Sequence, residues 1–303
     1  MTGQSAEEGF IAALRAIARD PGARGLTDDA AELSVSASTL VITHDMMVEG
    51  VHWLPRQDPA DVAWKLVAAN LSDLAAKGAQ PLALVMGYML GDAAWNARFV
   101  EGLDEAVVRF GVALLGGDTV STPQGSARSI GITAIGQPQV VPSPSRADAK
   151  PGQALWITGT VGGALAGFEA LRAGSTDEAL TAPFRRPEPH VAAGEALAKH
   201  VGAMMDVSDG LLLDATRMAQ ASGTTIAIDS SAVPVVPALA DRRDEAMRWG
   251  DDYNLLFTLS EGSTPPVAAT RIGTVMAGSD RPLLIDGTPP DSPDKLGYLH
   301  RQP

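Results

Sequence analysis

Residues 137–152 read QPQVVPSPSRADAKPG. Proline, serine and glycine crowd this stretch and no helical or strand period runs through it, so it is the best boundary in the chain. It divides the sequence into two expected domains, 1–146 and 147–303. Working back from it, 130–135 reads as a strand and 112–115 as a short buried strand ending in GGDT. Residues 93–110 have the apolar spacing of an amphipathic helix closed by Gly111, and 81–90 that of an apolar strand. A helix is expected over 58–79, opened by Asp58-Pro59 and stopped by Gly78. A short strand is expected at 40–43, and Phe10, Ile11, Leu14 and Ile17 give 6–19 helical spacing up to Pro21-Gly22.

Working forward, a second cycle begins with a strand at 154–158, a glycine turn at 159–163 and a helix at 164–172. Residues 174–190 read as loop, 191–200 and 211–221 as helices, 225–229 and 267–275 as strands. WGDDYNLLFTL sits on a turn and a strand, and little regular structure is expected in the last twenty residues. Helices and strands alternate in both halves without a strictly parallel pattern. The fold class is therefore α+β, built as two α/β-type domains.

The totals set outer bounds. The chain has 303 residues, 45% of them hydrophobic, enough for a well-packed core. Its net charge of −13 argues against binding nucleic acid, which rewards basic surfaces. The absence of cysteine removes disulfides, thiolate nucleophiles and cysteine-ligated zinc. No run of 18 apolar residues suggests a membrane span, and the N-terminus lacks the basic and apolar regions of a signal peptide, so a cytoplasmic location is expected.

Aspartates stand repeatedly beside turns and strand ends: Asp28-Asp29, Asp45, Asp73, Asp118, Asp206 with Asp209, Asp214 and Asp251-Asp252. Any one of them alone reads as a turn or helix-cap residue, and Asp214, in LLLDATRM, reads as helix-structural. As a set they suit a magnesium-bound nucleotide, because magnesium takes hard oxygen ligands and shares them with substrate phosphates. The P-loop pattern and the protein-kinase signatures are absent. Gly159-Thr160-Val161-Gly162-Gly163 has the wrong spacing for a dinucleotide fingerprint and reads as a tight strand-to-helix turn. The five histidines are scattered, so zinc is not expected.

In chain order the motifs are TDDAA (27–31), THDMMVEGVHW (43–53), NLSDLAAKGAQP (70–81), GGDT (116–119), SRADAKPG (145–152), WITGTVGGA (156–164), DVSDG (206–210) and GDDYNLLFT (250–258). This series resembles the thiamine-monophosphate kinases, of the PurM-like superfamily that also holds aminoimidazole ribonucleotide synthetase, selenophosphate synthetase and HypE. The likeness runs from about residue 25 to about residue 273. It implies magnesium at Asp29, Thr43, Asp45, Asp73, Asp118, Asp206 and Asp209. It implies nucleotide contacts from Gly117, Asp118, Arg146 and Ser208, and thiamine phosphate contacts from His52, Asp251 and Tyr298. Asp118, Asp209 and Arg146 are the residues it implies for catalysis. It further implies a homodimer paired through the N-terminal sheet, with the nucleotide near that interface. The sequence departs from the family pattern at Thr27, His44, Trp249, Asp251 and Asn254. Asp251 stands where glutamate is usual, and His44 where a small hydroxyl residue is usual.

The resemblance implies ATP-dependent phosphorylation of thiamine monophosphate to thiamine diphosphate. The acceptor oxygen is already ionised, so no general base is needed, and catalysis reduces to direct in-line transfer between two held anions. Two other readings stand beside it: a relative that activates a different substrate with ATP, and a nucleotide-binding regulator or inactive pseudokinase.

Overall fold

A computed structural model describes residues 27, 31–35, 38–90, 92–121, 123, 125–292 and 295–299. The helix expected at 6–19 and the expected metal ligand Asp29 lie outside the described residues. The strands are β1 (Ala31–Val35), β2 (Ser38–Val48), β3 (Ala79–Met89), β4 (Ala113–Val120) and β5 (Ser129–Pro138), then β6 (Gln153–Ile157), β7 (Met204–Val207), β8 (Thr224–Ile228), β9 (Asn254–Ser260), β10 (Thr270–Ala277) and β11 (Leu283–Ile285). The helices are α1 (Pro59–Ala76), α2 (Ala93–Phe110), α3 (Gly163–Arg172), α4 (Glu178–Arg185), α5 (Val191–Leu197), α6 (Leu211–Ser222) and α7 (Arg243–Arg248).

Two mixed sheets result. The first is five-stranded in the order β1-β2-β5-β3-β4, antiparallel except for the parallel β3–β4 edge. The second is six-stranded in the order β11-β8-β10-β6-β9-β7, with only β11–β8 parallel.

Helix α1 joins them. The Asp58 carboxylate accepts the Ala60 N–H at 3.0 Å and Pro59 opens the helix, where its missing N–H costs little. Every residue from Ala60 to Ala76 except Trp64 is buried, the mark of a helix wrapped on all sides. Leu66, Val67, Leu71 and Leu74 pack with Ile130 and Ile132 of the first sheet. Ala75 and Ala76 pack with Met204, Leu255 and Phe257 of the second. A separate core gathers Leu155, Ile157 and Ile226 beneath Leu211, Leu212 and Met218 of α6.

The first sheet has one covered face and one open face. Register aligns His44, Thr133 and Val85 in one row, and Met46, Gly131 and Gly87 in the next. Met46 is 54% exposed and Val85 39%, while Met47, Ile132 and Leu84 are buried toward α1. Strand β4 corrects the sequence reading: it runs on through GGDT to Val120 as an exposed edge, and Leu115 is 67% exposed. An apolar edge run cannot be told from a buried strand by composition, since burial depends on what covers it.

Three other expectations change. The segment read as loop holds α4, capped by Asp177 and containing Pro183. Strand β2 reaches Val48, with Val41, Thr43 and Met47 buried on one face and His44 and Met46 exposed on the other. Helix α7 lies where no element was expected.

Candidate active site

The motif N-L-S-D is a set of struts. Within one turn of α1, the Asn70 side-chain oxygen accepts the Asp45 N–H at 3.0 Å, and Ser72 Oγ donates to Asp206 Oδ2 at 2.7 Å. Thr43 Oγ1 donates to the Asp73 carboxylate. One helix thus brings β2 of the first sheet and β7 of the second to a common point.

Around that point lies a cavity of about 650 Å³. Asp45, His52, Asp73, Asp206, Ser208, Asp209, Asp251 and Tyr298 all line it, so residues far apart in sequence meet there. Thr43 is buried behind Asp73. Arg146 is not in the lining, but its charge is felt at Asp206 and Asp214. Gly117 and Asp118 lie on the exposed edge strand β4, outside the lining. His44 projects to the opposite face of β2, its Nδ1 2.9 Å from Thr133 Oγ1.

The carboxylates crowd one another. Burial, then the charges of Asp206 and Asp209, push Asp45 up to about 7. Burial, then Asp45 and Asp206, hold Asp73 well above the ordinary carboxylate range. Asp206 is raised by burial against the pull of Ser72 and Arg146. The charge of Lys77 opposes the rise at Asp73 and Asp206, and that of Arg146 the rise at Asp206, without cancelling it. Hard oxygens that crowd one cavity and still repel one another fit a divalent cation. No three His, Asp or Glu side chains among the described residues form a ready-made metal cluster.

Two turns build the wall beside this acidic floor. The Asp251 N–H donates to the Ser208 carbonyl at 2.8 Å and the Tyr253 N–H to that of Val207 at 2.9 Å, lacing the 250–253 turn to DVSDG. The approach is close: a Cβ on Gly250 would stand 2.3 Å from the Ser208 carbonyl oxygen. Asp251 and Tyr253 take φ of 68° and 52°, a region that ordinary side chains enter at a cost. Asp214 shapes the other turn, accepting the Ser208 and Asp209 N–H groups at 3.1 and 3.0 Å, while Arg217 holds both Asp209 and Asp214. His52 Nδ1 accepts the Val48 N–H at 2.9 Å, which in the neutral ring leaves the proton on Nε2. The glycine turn at 159–163 is filled from within, because the Asp252 carboxylate accepts the Gly162 and Ala164 N–H groups at 2.7 and 3.1 Å.

The sequence reading missed several lining residues. Phe168, Phe184 and Trp249 form an aromatic cluster with centroids 5.1 and 5.4 Å apart, flanked by Arg172 and Arg248. Lys65, on the buried helix, makes an ion pair with Asp251 at 2.8 Å. Burial lowers its pKa, opposed by the charge of Asp251. A lysine set in the apolar run 62–69 was the available signal, since that residue is almost never buried without a partner.

Fold and site together define a two-domain protein of the AIR synthase-related class with an acidic cavity between its two sheets. Residues 27–137 match the AIR synthase related protein N-terminal domain, and 150–264 the corresponding C-terminal domain. The thiamine-monophosphate kinase of Caulobacter vibrioides is 36% identical over 95% of this chain and 88% of its own length. That of Escherichia coli is 36% identical over 91% of each. The structure of AaThiL complexed with AMPPCP and TMP superposes with a TM-score of 0.84 at 26% identity, covering 96% of this chain and 98% of that one. The chain belongs to the thiamine-monophosphate kinase family.

Proposed function

We propose that this protein is a thiamine-phosphate kinase: it moves the terminal phosphoryl group of ATP onto thiamine monophosphate, giving thiamine diphosphate and ADP. The carrying observation is convergence. Carboxylates from β2, α1 and the β7 turn meet in one cavity with His52, Asp251 and Tyr298. A relative solved with AMPPCP and TMP shares the fold over nearly its whole length.

In this reading Asp45, Asp73, Asp206 and Asp209, with Thr43, Asp118 and Asp29, hold magnesium, which neutralises phosphate oxygens. Gly117, Asp118, Arg146 and Ser208 hold the nucleotide. His52 Nε2–H, Asp251 and the Tyr298 ring hold thiamine monophosphate; an aromatic face suits its cationic thiazolium. The acceptor phosphate needs no base. The protein's task is to align two anions, keep water out and hold charge in place, so transfer is direct and in line, without a phosphoenzyme. Asp118, Asp209 and Arg146 are the side chains we assign to the transferring group.

The open face of the first sheet supports a homodimer. Exposed Met46, Val85 and Leu115 leave an apolar surface that a second copy would cover, and that pairing would enclose the edge bearing Gly117 and Asp118. Residues 1–146 would then carry nucleotide, metal and dimer contacts, and 147–303 would complete the phosphate and substrate site. No helix among the described residues is long and apolar enough to cross a membrane, and we assign the protein to the cytoplasm.

The test is product formation from magnesium, ATP and thiamine monophosphate. The native chain should release thiamine diphosphate, and Asp45→Asn should lower kcat by about 100-fold or more, the scale seen when one electrostatic contact to a transition state is lost. Binding of ATP without product would move the reading to a nucleotide-binding regulator.

A further inference from the structure

Lys65 is fully buried on α1, where a charged side chain is costly unless each of its donors is engaged. Its ammonium has three hydrogens to place. One goes to the His52 main-chain carbonyl at 2.9 Å and one to Asp251 Oδ2 at 2.8 Å. The remaining side faces the Phe184 ring, 3.9 Å from its centroid.

These three partners come from separate parts of the chain: the loop after β2, the turn before β9, and α4. All three line the cavity. Asp251 is held a second time, because Tyr253 Oη donates to Oδ1 at 3.0 Å. Each carboxylate oxygen therefore keeps one engaged and one open lone pair, and the side chain remains 24% exposed toward the cavity. The lysine also cancels the aspartate's charge, so the wall can accept an N–H of a heteroaromatic ring without repelling a nearby phosphate.

We infer that Lys65 is a positioning residue of the acceptor-substrate pocket, fixing Asp251 and the His52 loop on opposite sides of one ammonium group. This rests on the thiamine-phosphate kinase reading above. Lys65 does not touch the substrate; it acts through Asp251 and His52. Its removal should therefore be felt by thiamine monophosphate and not by ATP.

The experiment is steady-state kinetics and calorimetry on the full chain as native protein, Lys65→Met, Asp251→Asn and the double variant. The double variant removes both charges together, so it stays measurable even where Lys65→Met alone leaves a stranded carboxylate and does not fold. The KM for thiamine monophosphate should rise at least tenfold in Asp251→Asn, and at least as far in the double variant, which also releases the His52 loop. The KM for ATP should stay within twofold of native throughout. Where Lys65→Met folds, it should show the same split. An unchanged thiamine monophosphate KM in the double variant, or equal losses for both substrates, overturns the positioning role alone. Native protein that neither binds nor turns over thiamine monophosphate overturns the functional reading and this inference with it.

Discussion

Asp252 shows how a single side chain can serve the fold under electrostatic strain. It caps α3 through the Gly162 and Ala164 N–H groups, yet burial pushes its pKa from 3.8 up to about 7. Between those values the folded state holds a proton that the unfolded chain gives up. The contribution of Asp252 to stability is therefore full below about pH 4 and declines as pH rises through about 7. Asp252→Asn cannot titrate. Urea denaturation from pH 4 to 8 should show native stability falling relative to that variant across this window; parallel profiles would contradict the shift. The neighbouring Asp251 and Tyr253 were legible only as letters in a motif. Their left-handed backbone and their ties to Ser208 and Val207 arise from two turns meeting across the fold, which no local preference encodes.

At the scale of elements, α1 and α4 teach opposite lessons. The ends of α1 were written locally by Asp58, Pro59 and Gly78, and the helix formed within a few residues of its expected bounds. Helix α4 was read as loop because Pro183 and the following proline-rich run weaken its local preference. It forms with its last turn pinned from outside: Arg185 and Arg186 both bind the Asp61 carboxylate on α1, and Glu178 and Glu105 complete the group. Asp61 is 2% exposed, so neutralising it strands two arginines near the buried surface. Asp61→Asn should cost about 2 kcal/mol, below the full penalty for a deeply buried pair because both arginines keep some contact with water. Chemical denaturation measures this, and a loss under about 0.5 kcal/mol would place the group among ordinary surface pairs.

For the whole molecule, the open face of the first sheet makes a definite demand. The native protein should sediment at twice the chain mass, and Leu115→Glu should sediment as a folded single chain with ATP binding weakened at least tenfold, because Asp118 lies on the same edge. A native single chain with full ATP affinity would remove the dimer from the proposal. Sequence by itself determined the α+β class, most element positions and the acidic motifs, because periodicity, caps and turn residues act over a few neighbours. It also flagged, through resemblance, eight of the residues that line the cavity. Tertiary structure decided that Asp45, Asp73 and Asp206 share one space, that Gly117 and Asp118 stand on an uncovered edge, and that Lys65 ties three distant segments together. Those facts depend on which surfaces pack against which, and packing joins residues whose separation along the chain carries no local signal.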